Sequence, residues 1–264
     1  MSKQTRVTKT VTRAAKGKAQ IAGKETASAL EATLHDLVVA NRILAHQGVV
    51  DAYGHLSIRH PGNPERYLMA CSRAPALVTR EDLLEFRLDN QAIDAGGRPL
   101  YAERAIHGSI YAARPDVQAV CHNHSMPLIP FSVTGTRIAP IFHLGAVIGE
   151  NIPIWDISPE FGDTNLLVTR AEVGDSLAKS LGASRVALMR GHGAVVVGRG
   201  VREAVYIAIQ LQNNANMLLA SLALGKPKLL SRGEIEAASK TMLEPLSQNR
   251  SWQLWAHDAG FPAG

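Results

Sequence analysis

The stretch RVALMRGHGAVVVG, residues 185–198, constrains the fold of this chain more than any other. RVALMR reads as a buried strand and AVVVG as a second strand. Between them, glycines on both sides of His192 let the backbone turn sharply and leave an imidazole exposed directly after the buried strand. A helix is predicted from Val201 to Leu224, and another over residues 232–246. Upstream, residues 28–47 place Leu30, Leu34, Leu37, Val38 and Ile43 at helical spacing, and Gly48 ends the run. Residues 49–61 read as strand, turn and strand, 66–71 as a strand, and 80–88 as a short helix with a strand. Asp94–Pro99 is a turn, 102–113 a helix stopping before Pro115, 116–121 a strand and 172–182 a helix. Helices interspersed with strands throughout, with no repeat and no linker, predict one layered α/β domain.

A chain of 264 residues can bury a sizeable core. It has no apolar stretch of the roughly 18–20 residues that a membrane span needs, and its charged start is not followed by the apolar segment of a secretory signal. Cys71 and Cys121 form no disulfide framework, so a reducing cytoplasm is expected. The net charge of +5 suggests a nucleic-acid binder until its location is noted. Residues 1–24 hold 7 of the 28 basic residues and no acid, which leaves 21 basic against 23 acidic residues in the remainder. The body is near neutral, and residues 1–27 are expected to form a basic, disordered extension ahead of a catalytic domain over 28–264. No aromatic residue is interleaved with the basic ones, so nucleic acid is not an expected partner, nor is a membrane.

Residues 119–127, AVCHNHSMP, end an apolar run in His122-Asn123-His124, and histidines two apart share one face of an extended strand. Glu103 precedes this run at the start of the predicted helix, and His192 follows far downstream. Three imidazoles and a carboxylate suit Zn²⁺, Mn²⁺ or Fe²⁺, with room for a substrate oxygen. Spacing alone leaves open the plainer alternative of hydrogen-bonded histidines. A further loop, CSRAPALVTR, brings Arg73 into a turn rich in Ser and Pro.

The order E-x3-H-x14-H-x-H with a distant GHG, carried here by Glu103, His107, His122, His124 and Gly191-His192-Gly193, resembles the class II aldolase/adducin family over roughly residues 30–240. That resemblance implies a single three-layer α/β/α domain around a central, mainly antiparallel sheet. It implies one divalent metal ion per subunit, no organic cofactor, and His122, His124 and His192 as ligands. Glu103 would coordinate the metal or leave it to act as acid and base. It also implies a homotetramer with active sites at subunit interfaces.

Compared with the family's sugar-phosphate aldolases, the chain departs at each substrate-binding segment. A Gly-Asn-x-Ser segment becomes Gly54-His55-Leu56-Ser57, a Thr-Gly loop becomes Ser72-Arg73-Ala74-Pro75, and a Ser-Ser pair becomes Tyr101-Ala102. The tyrosine that protonates the aldehyde oxygen is matched by His143, a group that can donate a proton near neutral pH. GHLSIRHP, SRAPALVT and FGDTNLLVTR are similar instead to a branch of decarboxylases acting on hydroxylated aromatic or pyridine dicarboxylates, of the dihydroxyphthalate type. The expectation is therefore a metal-dependent carboxy-lyase. Arg73 and Ser72 would grip a small-molecule carboxylate, His55 and Ser57 would contact the substrate, and Glu103 or His143 would deliver the proton. The alternatives are an aldolase or epimerase on an unphosphorylated or acidic substrate, and a non-catalytic adducin-like scaffold. Asp163 reads equally as a loop cap, Tyr206 as core, and Trp252 and Trp255 as packing on their own domain.

Overall fold

The computed structural model describes residues 27–262. The extension expected over residues 1–27 therefore lies outside the described residues, apart from Ala27, which opens helix α1 (27–46). Seven strands follow: β1 (His55–Arg59), β2 (Arg66–Ala70), β3 (Leu83–Arg87), β4 (Ala119–Asn123), β5 (Ile154–Trp155), β6 (Val186–Met189) and β7 (Gly193–Gly198). They form one sheet in the order β3-β2-β1-β4-β7-β6-β5. Every pairing is antiparallel except β5 with β6.

The remaining helices are α2 (Ala105–Ala113), α3 (Ile129–Thr134), α4 (Ser158–Phe161), α5 (Ala171–Leu181), α6 (Val201–Leu224), α7 (Arg232–Met242) and α8 (Pro245–Asp258). Every residue of β1, β4, β6 and β7 is buried, so both faces of the central sheet are covered. Helices α2 and α5 pack on each other beside one face, while α6 lies against β4 and β7 with α8 on its back. This is the expected α/β/α arrangement with a mainly antiparallel sheet. Among the described residues no helix is long and apolar enough to cross a membrane.

Two local expectations shift. The helix predicted over 102–113 begins only at Ala105, and Glu103 sits in the preceding turn. The helix predicted over 232–246 ends at Met242, and a separate α8 starts at Pro245, whose ring suits a helix's first turn but not its interior. In α8, Trp252 is buried with Arg202 stacked over its ring, and Trp255 packs against Tyr206 of α6. Tyr206 itself is buried in the core.

Candidate metal centre and pocket

The register of the sheet brings the chemistry together. His55 of β1 stands opposite His122 of β4, and Asn123 stands opposite Ala194, just past His192. Gly191 turns the chain between β6 and β7 at φ 62°, and His192 projects at the ends of β4 and β7. A Cβ on Gly193 would lie 2.1 Å from the Asn123 carbonyl oxygen, so only glycine lets β7 approach β4 here.

At these strand ends the ligand atoms of Glu103, His122, His124 and His192 all lie within 4.8 Å of one another. His124 Nε2 is 3.0 Å from His122 Nε2 and 3.2 Å from His192 Nε2. Glu103 Oε2 is 3.7 Å from His122 Nε2 and 3.5 Å from His192 Nε2. Ligands about 2.1 Å from one ion are separated by about 3.0 Å in octahedral and 3.4 Å in tetrahedral geometry. The two histidine–histidine separations fall in that range, and the two Glu103 separations exceed it by 0.1–0.3 Å.

The opposite ring nitrogens explain why the Nε2 atoms converge. His192 Nδ1 donates to the Leu166 carbonyl at 2.9 Å and His122 Nδ1 to the Ala194 carbonyl at 3.2 Å. His124 Nδ1 lies 3.2 Å from both carboxylate oxygens of Asp51. With each proton held on Nδ1, three Nε2 lone pairs face one point, an arrangement that a cation resolves. Glu103 Oε1 accepts the Val168 N–H at 2.8 Å, which leaves Oε2 for the cluster. The donor set therefore fits a divalent ion.

Electrostatics support the same arrangement. Burial pushes the Glu103 carboxyl up, but the His192 hydrogen bond, the nearby His122 and His192 and the Val168 N–H outweigh it and hold it at about 2. Burial depresses His122 well below the ordinary imidazole range and keeps it neutral, as a ligand must be. Burial also pushes the Asp51 carboxyl up, and the Tyr53 and Gly54 N–H groups and His124 reverse this, leaving it below its ordinary value.

The cluster forms one wall of a pocket of about 600 Å³, lined by His55, Ser72, Arg73, Glu103, His124 and His192. Its other walls are mostly apolar, from Ala52, Tyr53, Ala74, Tyr101, Ala102 and Leu167. The Tyr101 hydroxyl donates to the Arg73 carbonyl and fixes that loop. Arg73 Nε lies 3.2 Å from the Leu77 carbonyl and 3.5 Å from Asp82 Oδ2, while its two terminal nitrogens have no protein acceptor among the described residues. A larger groove of about 1110 Å³ beside α6 and α7 holds none of these residues, and its Arg199–Glu203 and Arg232–Glu236 pairs satisfy their own charges.

Of the residues singled out in the sequence, Glu103, His122, His124, His192, Arg73, Ser72 and His55 meet at this pocket. Ser57 does not line it: its hydroxyl is fully buried, 2.6 Å from His107 Nδ1 and 2.9 Å from the Tyr111 hydroxyl. His143 is exposed, in contact with Phe142, and Asp163 is exposed in a loop; neither lines the pocket. Sequence reasoning missed Asp51 and gave His107 no role beyond its place in the motif. Asp51 carries a local signal, since Asp-x-Tyr-Gly reads as a side-chain-capped turn, and its carboxylate does accept the Tyr53 and Gly54 N–H groups.

A family model for the Class II Aldolase and Adducin N-terminal domain matches residues 35–219. The chain is 32% identical over 238 residues to "Decarboxylase tropJ" of Talaromyces stipitatus, covering 82% of this chain and 90% of that protein. It is 26% identical to a 3,4-dihydroxyphthalate decarboxylase of Rhodococcus jostii, over 83% of this chain and 91% of the relative. Among solved structures, an L-fuculose 1-phosphate aldolase from Glaciozyma antarctica superposes with a TM-score of 0.74 at 23% identity, covering 89% of this chain and 90% of its own.

Proposed function

The chain belongs to the class II aldolase and adducin family, and from that premise we propose that it is a divalent-metal-dependent carboxy-lyase acting on a hydroxylated aromatic or heteroaromatic dicarboxylate. The observation that carries the proposal is the pocket's composition. One guanidinium, held at Nε by the Leu77 carbonyl and Asp82, lines a largely apolar cleft whose wall carries a three-histidine, one-carboxylate cluster. That suits a planar ring bearing a carboxylate better than a sugar phosphate, which would need several donors for its phosphoryl oxygens. The decarboxylases among its relatives support the same choice.

His122, His124, His192 and Glu103 would hold Mn²⁺, Zn²⁺ or Fe²⁺, which supplies Lewis-acid stabilisation of negative charge on a substrate oxygen. The rest is done by the chain's own side chains. Arg73 grips one carboxylate, with Ser72 beside it. Tyr53 and Leu167, which line the pocket, would flank the ring. Swung off the ion, with Oε1 still held by the Val168 N–H, Glu103 would take the substrate's hydroxyl proton on Oε2 and return it to the carbon that CO₂ leaves.

The test loads the protein with Mn²⁺ or Zn²⁺ and follows CO₂ release from hydroxylated benzene and pyridine ortho-dicarboxylates, beside a chelator-treated blank and a sugar-phosphate control. Metal-dependent CO₂ release from any of them is expected. Aldol cleavage of the control with no CO₂ from the panel would replace this reading with that of an aldolase.

A further inference from the structure

Beneath the pocket runs a continuous, fully buried chain of polar groups that the proposed chemistry does not use. Tyr111 hydroxyl lies 2.9 Å from Ser57 Oγ, Ser57 Oγ 2.6 Å from His107 Nδ1, and His107 Nε2 2.6 Å from His55 Nδ1. His55 ends the chain in the pocket wall, its ring packed 5.0 Å from His122 and 4.7 Å from Tyr101. Both rings are buried, a 2.6 Å contact between two ring nitrogens requires one of them to be bare, and an imidazolium held here would be a buried charge with no carboxylate hydrogen-bonded to it. Each ring therefore carries one proton, and the chain has two possible directions.

The buried end decides between them. Tyr111 is 1% exposed; the Val120 main chain bonds to its hydroxyl in the sense that favours the phenolate, as a donor does, which leaves Ser57 Oγ as the acceptor within reach of the phenol proton. If the chain ran from His55 toward Tyr111, Ser57 would donate to the phenol and strand the phenol proton in the core. A buried donor left without an acceptor forfeits the hydrogen bond to water that it has in the unfolded chain. Run the other way, Tyr111 donates to Ser57, Ser57 donates to His107 Nδ1, and His107 Nε2–H donates to His55 Nδ1. Every buried proton then has an acceptor, and the one left over, on His55 Nε2, emerges in the pocket.

We infer that Tyr111, Ser57 and His107 are positioning residues that fix His55 as a neutral imidazole presenting an Nε2–H donor to a ligand oxygen beside the metal cluster. Such a group selects an acceptor (carboxylate, phenolate or carbonyl) and does so without adding charge. It rests on the proposed function only in taking the pocket to bind an oxygen-rich ligand. It also gives Ser57 a role in which it never touches that ligand.

Tautomers are read directly from long-range ¹H–¹⁵N spectra of the full-length protein labelled at histidine, with His55 and His107 assigned by the loss of signals in His55→Asn and His107→Gln. At neutral pH both rings should show a bare, pyridine-type Nδ1 and a protonated Nε2. Tyr111→Phe removes the group that sets the direction, and His55 should then show a mixture of both forms in a protein whose thermal melt confirms the fold. Phthalate and 3,4-dihydroxybenzoate, added to the Zn²⁺-loaded protein, serve as acceptor probes. At least one should bind and move the His55 Nε2–H proton resonance downfield. A proton on His55 Nδ1, an unchanged tautomer in Tyr111→Phe, or probes that fail to bind or leave the resonance in place would each overturn the inference. The expected spectra with no turnover of any dicarboxylate would instead count against the proposed reaction and leave this arrangement standing.

Discussion

At the scale of single residues, the site divides into groups that hold and groups that act, and substitutions separate them. Glu103→Gln keeps the Val168 contact through its amide oxygen but loses the carboxylate that accepts a proton. Turnover should fall about 10²–10⁴-fold, the worth of a positioned acid or base, while metal analysis still finds bound ion. Full activity would remove Glu103 from the chemistry. Arg73→Ala removes a charged donor, worth about 1.5–3 kcal/mol, from a cleft with no second guanidinium in its lining. KM for a dicarboxylate should rise about 10- to 150-fold with little change in kcat, and a fall in kcat alone would contradict the clamp. Asp51→Asn weakens the hold on the His124 Nδ1 proton, and competition with a chelating dye should show about 10–100-fold weaker metal binding. The convergence of His122, His124 and His192 was legible because the family resemblance gave meaning to an order along the chain that spacing alone left open. The positions of Ser57 and His143 were not legible, since depth below a sheet face and distance from a pocket are set by packing with α2 and by the course of the loop after α3.

Elements carry the site because strand ends are rigid, and that rigidity depends on close backbone approach. The β4–β7 pairing places His122, His124 and His192 on adjoining strand ends. Gly193→Ala would drive a methyl into the Asn123 carbonyl, 2.1 Å away, with main chain rather than a flexible side chain as the neighbour. Such overpacking costs about 1–3 kcal/mol or more, and it should appear both as a lower urea midpoint and as weaker metal binding. Wild-type values for both would mean that the strands can separate at no cost to the cluster. Strands β2, β6 and β7 and helices α5 and α6 were all readable from apolar runs and helical periodicity, because their burial pattern is local information. The stretch 125–165 shows no strand or helix pattern of its own in the sequence, because α3, α4 and β5 are only 6, 4 and 2 residues long. Elements that short take their form from the sheet edge and helices around them, not from their own pattern.

For the whole molecule, burying so many neutral imidazoles in one α/β/α body makes acid its natural denaturant. His107 is held at about 3 in the folded chain against an ordinary 6.5, so above 6.5 neither state carries its proton. Between those values the unfolded chain takes up a proton that the folded chain refuses, and stability falls as pH falls. His55 and His122, both depressed by burial, act with the same sign below 6.5. Glu103 works differently but in the same direction. Its folded value of about 2 lies below its ordinary 4.5, so the stability it contributes is complete above 4.5 and is lost as pH falls toward 2. His107 alone gives a slope that approaches about 1.4 kcal/mol per pH unit well below pH 6.5, and His55 and His122 steepen it in the same direction. The stability read from urea titrations of the metal-stripped chain should therefore be nearly flat from pH 8 to 7 and fall steeply from 6 downward, and His107→Gln should make that acid limb shallower. A flat profile down to pH 5 would mean that these imidazoles are protonated in the folded protein. Zn²⁺ at 100 times its Kd should add about 2.7 kcal/mol at pH 7. That gain should shrink in the same acid window, because the Nε2 lone pairs that hold the ion are the ones protons compete for.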